Sequence, residues 1–319
     1  MKPPYEINSD ILKLLSEISI KLGEVKSSHL IQHSPELRKK NNIKTIQASL
    51  GIEGNTLSLE QVTAIFEGKR VLGPAKEILE VKNAISVYDA LTSFKPNSIK
   101  SFLKAHQIMM GDLIPNPGKF RTGSVGIISG NKVTHVAPPG KRVSALIENL
   151  FTYLKTDKDP ELIKSCVFHY ELEFIHPFMD GNGRMGRLWQ SVILGDSFPI
   201  FQYLPIETII KERQAEYYRA LGKCDKEGKS TQFIKFMFQV ILEQLESIVS
   251  APRANSVDFQ ARIEIAKSEF KMNEFDRADY LTIFKEISAP TASRDLKKAV
   301  DLKLLHKSGD KRLTVYRFI

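Results

Sequence analysis

Cysteine is scarce in this chain: only Cys166 and Cys224 occur, and neither belongs to a CxxC pair. That argues against a disulfide framework or a cysteine-built zinc site, and it suits a reducing compartment. Long apolar runs are also missing. No stretch of about 18 apolar residues occurs, so no segment is expected to span a membrane. Near the start, Ile11, Leu12, Leu14, Leu15, Ile18 and Ile20 are interrupted by Lys13, Ser16 and Glu17. That is the period of an amphipathic helix, not of a signal peptide, and a cytoplasmic location is expected. Internal repeats and low-complexity tracts are absent as well. Charge is basic but diffuse. A net +9 over 319 residues would suit an anionic partner, yet it is spread along the chain and serves solubility equally well. The length allows roughly two domains.

What is present is mostly helical periodicity. Residues 58–68 (SLEQVTAIFEG) carry an N-cap serine, early acids and a closing glycine. Residues 77–94, with Ile78, Val81, Ala84, Ile85, Tyr88 and Leu91 on one stripe, predict another helix, as do 98–111, 141–156 and 160–174. Residues 122–136 break this rhythm. Val125 and Ile127 alternate, a turn falls at residues 129–132, and Val133 and His135 resume the alternation, which predicts a β-hairpin. A boundary is expected near residues 250–256 (SAPRANS), after a helix over 231–249.

The decisive run is residues 176–187, HPFMDGNGRMGR. It lies between an apolar helix ending near Ile175 and a second apolar helix through Leu188–Leu194. Pro177 bars helix at the junction, while Gly181 and Gly183 permit backbone shapes denied to other residues. The run therefore reads as a tight loop delivered onto a helix N-terminus, a place that favours phosphate. Asn182 can add a side-chain donor, and Arg184 and Arg187, at i and i+3, can fork onto phosphate oxygens. Asp180 can hold Mg²⁺ between phosphates, and His176 supplies an imidazole suited to general base work. Singly, each piece has an ordinary reading: a helix stop, a turn, a solvated face. Twelve residues holding all of them point to a phosphate-binding site.

This run resembles the motif of the Fic family, HxFx(D/E)GNGRxxR, and matches every specified position. The resemblance implies an all-α core that binds ATP and Mg²⁺ and transfers AMP to a protein Ser, Thr or Tyr. By that likeness His176 takes the hydroxyl proton, Asp180 holds the metal and Phe178 anchors the loop. Gly181, Asn182 and Gly183 form the anion hole, Arg184 holds the β-phosphate side and Arg187 orients the γ-phosphate. The related Doc kinases carry lysine where this chain has Gly183, so the likeness is to the AMP-transferring members.

The predicted hairpin, preceded by residues 117–121 (PGKFR), resembles the Fic flap, with Val125, Gly126 and Ile127 on the edge that would pair with a target segment. A plain structural hairpin fits the same residues. Residues 216–221 (EYYRAL) resemble a family segment near the adenine, which puts Tyr217 or Tyr218 forward for base stacking. Paired tyrosines on a helix are also ordinary packing residues.

Residues 49–55 read SLGIEGN. Ser49 and Glu53 stand at i, i+4 on one helical face, and Gly54 suits the helix stop. The segment resembles the Fic inhibitory motif (S/T)xxxE(G/N). It implies a Glu53–Arg187 pair that occupies the donors meant for the γ-phosphate, with self-modification expected once it is removed. The same glutamate could instead serve removal of AMP from a modified protein.

After the boundary, helices over 277–284 and 292–300 and a two-stranded tail over 304–318 predict a winged helix. Residues 291–296 (TASRDL) resemble a recognition helix. Arg294, Lys297 and Lys298 with Lys307, Lys311 and Arg312 could meet a phosphate backbone, whereas Asp295, Asp301 and Asp310 dilute that charge. The open alternatives are DNA binding, including a regulator with a nucleotide-sensing core, and protein interaction or homodimer formation. The expected layout is a regulatory region over 1–95, a catalytic core over 96–250 and a winged-helix domain over 257–319.

Overall fold

Apolar residues at helical spacing dominate, and the fold is mostly helical as a result. The computed structural model describes residues 2–27, 35–123, 126–129, 132–250, 259–284, 287–310 and 314–319. Two units are separable, Met1–Ile31 with Glu36–Val249, and Ser250–Ile319 with Gln32–Pro35. The first holds α1 (Ser9–Ser27), α2 (Pro35–Ile52), α3 (Leu59–Phe66), α4 (Ala75–Asp89) and α5 (Ile99–Met109). Next come β1 (Gly126–Ser129) and β2 (Lys132–Val136), and then α6 (Val143–Thr156), α7 (Glu161–Ile175) and α8 (Asn182–Ser197). It closes with α9 (Ile206–Glu212), α10 (Gln214–Glu227) and α11 (Thr231–Ser250). Among the described residues no helix is long and apolar enough to cross a membrane.

Local signals account for the boundaries. Ser58 caps α3 by a reciprocal box with Gln61. The helix expected over 77–94 ends early, at Asp89, and tightens into a 3₁₀ turn at Leu91–Ser93. Ser93 Oγ donates to the Ala90 carbonyl, and Pro96 disfavours helical backbone at the residue before it. β1 and β2 pair antiparallel, Gly126 opposite Val136 and Ile127 opposite His135, with an irregularity between Ile127 and Ile128. Val125 lies outside the described residues.

One hydrophobic cluster runs from Ile11 to Leu245. Its centre is aromatic: the Phe102 ring meets those of Phe151, Phe168, Phe178 and Trp189 at 5.1–6.2 Å. Helices α7 and α8 cross this centre and are buried nearly all round, as helices without a polar stripe must be. Both cysteines are buried and burial pushes their thiols up, Cys166 to about 12 and Cys224 to about 11, which leaves them unreactive.

The second unit holds α12 (Phe259–Phe270), α13 (Arg277–Ile283), α14 (Ala289–Asp301), β3 (Leu305–Ser308) and β4 (Val315–Phe318). α14 begins earlier than its sequence period suggested. Ser288 caps it and Pro290 sits in its first turn, where a missing N–H costs nothing. β3 and β4 pair antiparallel. Asp295 is buried and accepts two bonds from Arg262, at 2.6 and 2.9 Å.

Phe102 has no exposed surface, so Phe102→Ala should lower the unfolding free energy by about 3–5 kcal/mol. Urea titration of the two proteins measures it.

Candidate active site

Because α7 and α8 both lie in the core, the loop joining them is held at the edge of that core. α7 ends on His176, whose backbone is left-handed (φ 50°, ψ 61°) while its N–H still donates to Leu172 O at 2.9 Å. Pro177 follows and disfavours continued helix. A left-handed non-glycine residue costs about 1–3 kcal/mol, and such strain collects at functional sites. Phe178 is fully buried against Phe102 and Phe120, and His106 stacks on its ring at 3.6 Å and 7°. Gly181, at φ 83°, opens α8; a Cβ there would lie 2.7 Å from Met110 Sδ.

The first turns of α8 carry the charge. Arg184 is buried and donates to Asp180 Oδ1 at 3.1 Å and, at 3.5 Å, to Glu80 Oε1. Asp180 Oδ1 also accepts from Gly181 N at 2.6 Å, with its side chain 48% exposed at the mouth. Arg187 is 1% exposed. Its Nε donates to Ser49 Oγ at 3.0 Å, and its Nη2 donates to Ser49 O at 3.1 Å and to Glu53 Oε1 at 2.7 Å. Burial works against the Arg187 charge, but the surrounding negative groups, Glu53 foremost, outweigh it and raise its pKa. A side chain at Gly183 would overlap the Glu53 carboxylate, so this glycine is what allows the pair to close.

Glu53 arrives there because α2 is pinned from several sides. Ile43, Ile46 and Leu50 join the core. Lys211 donates to Gln47 at 3.1 Å, Gln214 donates to Ile52 O at 2.9 Å, and Gly54 (φ 93°) turns the chain away just past Glu53.

A sequence model of the Fic/DOC family matches residues 96–194. The crystal structure of a Fic family protein from Desulfovibrio desulfuricans G20 matches 100% of this chain and 98% of its own, with TM-score 0.76 and 38% identity. This chain belongs to the Fic family. Among curated relatives, the protein adenylyltransferase fic-1 of Caenorhabditis briggsae is 31% identical over 244 residues, 71% of this chain and 45% of that protein. The protein adenylyltransferase Fic of Drosophila persimilis is 29% identical over 238 residues, 72% of this chain and 42% of that protein. The chain thus spans less than half the length of these curated relatives.

The structure brings Ser49, Glu53, Gly183 and Arg187 together, with His176, Phe178, Asp180, Gly181, Asn182 and Arg184 in the adjoining loop. Two expectations need correction. The Asn182 amide is turned into its own loop: it accepts from Phe178 N at 2.9 Å and donates one of its two N–H groups to Phe178 O at 3.0 Å, bracing the Fic loop from inside. Tyr217 is 1% exposed, its hydroxyl 3.1 Å from His169 Nε2 and its ring packed on Phe233 and Phe236. It has no face for a base. Tyr218 is 49% exposed and remains the one ring of the pair that a ligand could reach. Neighbours on a helix point about 100° apart, so one buried tyrosine turns the next outward.

Three residues were not singled out from sequence. Glu80 accepts from both Arg184 and Asn55, Arg121 is buried beside the loop, and His106 bridges two segments. Gly118 N–H donates to His106 Nδ1 at 2.8 Å, so Nε2 carries the proton and donates to Asp180 O at 3.0 Å. The available signal was faint: His106 follows Phe102 by four residues and so shares its buried face.

ATP with Mg²⁺ fits these residues. The first-turn N–H groups at Asn182, Gly183 and Arg184 have no acceptor within α8, and Arg184 Nε and Arg187 Nη1 are buried without a hydrogen-bond partner. Buried guanidinium donors of this kind suit a polyanion. No group of three or more His, Cys, Asp or Glu that could hold a metal occurs among the described residues. Asp180, exposed at the mouth, is the carboxylate that could share a Mg²⁺ ion with phosphate oxygens.

Burial holds His106 well below its ordinary value, to about 4. The unfolded chain therefore binds a proton near pH 6.5 that the native state refuses until about pH 4, so stability is complete above 6.5 and falls as pH drops between them. His106→Asn removes this group. Its unfolding free energy should fall by roughly 2 kcal/mol less than that of the wild type between pH 7 and pH 5, as urea titrations at both pH values would show.

Proposed function

We propose that this Fic protein transfers AMP from ATP to a hydroxyl side chain of proteins and is restrained by its own Glu53. The supporting observation is the buried Arg187 guanidinium at the start of α8, gripped by Glu53 at 2.7 Å while its Nη1 has no partner. The names of the curated relatives point the same way.

In this reading the α- and β-phosphates meet the backbone N–H groups of Asn182, Gly183 and Arg184. Arg184 takes the β-phosphate side and Arg187 the γ-phosphate. Bound at Asp180, Mg²⁺ would offset phosphate charge. His176 accepts the proton of the target hydroxyl as its oxygen forms a bond to the α-phosphorus. The bond from that phosphorus to the β-phosphate bridging oxygen breaks, and pyrophosphate leaves with the electron pair. Glu53 acts on geometry: while it holds Arg187, the γ-phosphate loses that anchor and the α-phosphorus is not in line for attack. Residues 1–95 then serve as the regulatory region and 96–250 as the catalytic core.

Glu53→Gly frees Arg187 and should raise incorporation of labelled AMP, into the protein itself and into lysate proteins, by roughly 10–100-fold. Adding His176→Ala to that variant should return labelling to background. Equal weak labelling with and without Glu53 would argue against the restraint.

A second reading concerns Ser250–Ile319, which we assign to the winged-helix type. Because Asp295 is buried against Arg262, it does not dilute the surface of α14, where Arg294, Lys297 and Lys298 are exposed. That face suits a phosphate backbone. If it binds duplex DNA, affinity should drop steeply with salt, about three decades between 50 and 200 mM for some six phosphate contacts. Gel shifts across that range, with Lys297→Glu as control, would test it; binding unaffected by salt or by the charge reversal would rule it out.

A further inference from the structure

Arg121 is 3% exposed, yet no carboxylate partners it among the described residues. Its guanidinium is surrounded by backbone oxygens instead. Nε donates to His176 O at 2.6 Å, Nη2 to Ile175 O at 3.1 Å and to Pro138 O at 2.7 Å, and Nη1 to Gly123 O at 2.5 Å. The backbone N–H of Arg121 donates to Pro177 O at 2.9 Å. Burial lowers its pKa below the ordinary arginine value, and carbonyls at the C-terminal end of α7 supply the negative potential that keeps it charged.

These acceptors belong to two groups. Ile175, His176 and Pro177 are consecutive residues of the strained turn that presents the His176 imidazole. Gly123 and Pro138 are the stems of the hairpin, one ahead of β1 and one behind β2. The stems also lie close to each other, since a Cβ on Gly140 would overlap Thr122 O. One rigid, planar side chain thus ties both hairpin stems to the peptide planes around His176. A lysine could not copy this, because its ammonium lacks the fixed five-donor fork.

We infer that Arg121 is a positioning residue that sets the register between the hairpin and His176, so that a protein segment paired along the hairpin delivers its hydroxyl within reach of the imidazole. The inference rests on the AMP-transfer reading for its consequence, though not for the clamp itself. A shift of about 1 Å between acceptor and base costs on the order of 100-fold in rate. Nucleotide contacts lie on the α8 side of the loop, so ATP affinity should be spared.

The test uses the full chain in the Glu53→Gly background. Arg121→Lys should lower AMP transfer to protein about 100-fold while Mg-ATP affinity, measured by calorimetry, changes by less than about threefold. Arg121→Ala should lose as much and regain at least about tenfold with millimolar guanidinium ion, which a general loss of stability would not allow. Transfer within about threefold of the parent in both variants, or loss of ATP affinity in parallel with transfer, would overturn the assignment. Should both variants fail to fold, the unmodified chain decides. Its Arg121 Nη protons should give separate, slowly exchanging NMR signals, and a single averaged signal would mean that the clamp is not there. A Glu53→Gly parent without any transfer would instead count against the AMP-transfer reading, with the NMR result still testing the clamp.

Discussion

A guanidinium withdrawn from water has to be answered by oxygen atoms, and much of the first unit is arranged around two such groups. Arg187 is answered by Ser49 of α2 and Glu53 just past its end, Arg121 by the carbonyls of the loop and hairpin stems. Each holds together segments far apart in sequence. Neither could be removed without leaving buried polar groups unpaired, which costs more than the net worth of the bonds themselves.

That loop owes its place to the helices on either side. α7 and α8 lack a solvent face, so the six residues between them cannot drift to the surface. His106 and Phe178 then fasten the loop from below, one by hydrogen bonds to Asp180 O and Gly118 N, the other by ring stacking. The strained His176 backbone persists because its surroundings over-determine it. A rigid cradle of this type presents donors to an anion without reorganisation.

The Glu53–Arg187 pair follows from the same packing. The apolar face of α2 is part of the main core, so Glu53 is held at Arg187 by much more than their mutual charge. Gly183 leaves room for the carboxylate, and Glu80 links Arg184 to Asn55, just beyond Glu53. The Glu53 carboxylate thus occupies donors that, under the proposed function, a polyphosphate would also use.

The shape of the loop was legible in sequence because it depends on residue types at short, fixed spacing: a proline stop, glycines, an acid, and arginines one turn apart. The Ser49–Glu53 spacing was legible for the same reason. Helix existence followed from period, while boundaries shifted by a few residues where 3₁₀ turns or an N-terminal proline intervened. What sequence could not decide were pairings between distant segments. Whether the Asn182 amide faced a ligand or its own loop, which of Tyr217 and Tyr218 was buried, and which oxygens Arg121 would meet all depend on how helices pack. Local sequence sets which groups a segment carries and how its backbone can bend. Only tertiary packing removes water from them, and that removal selects each partner.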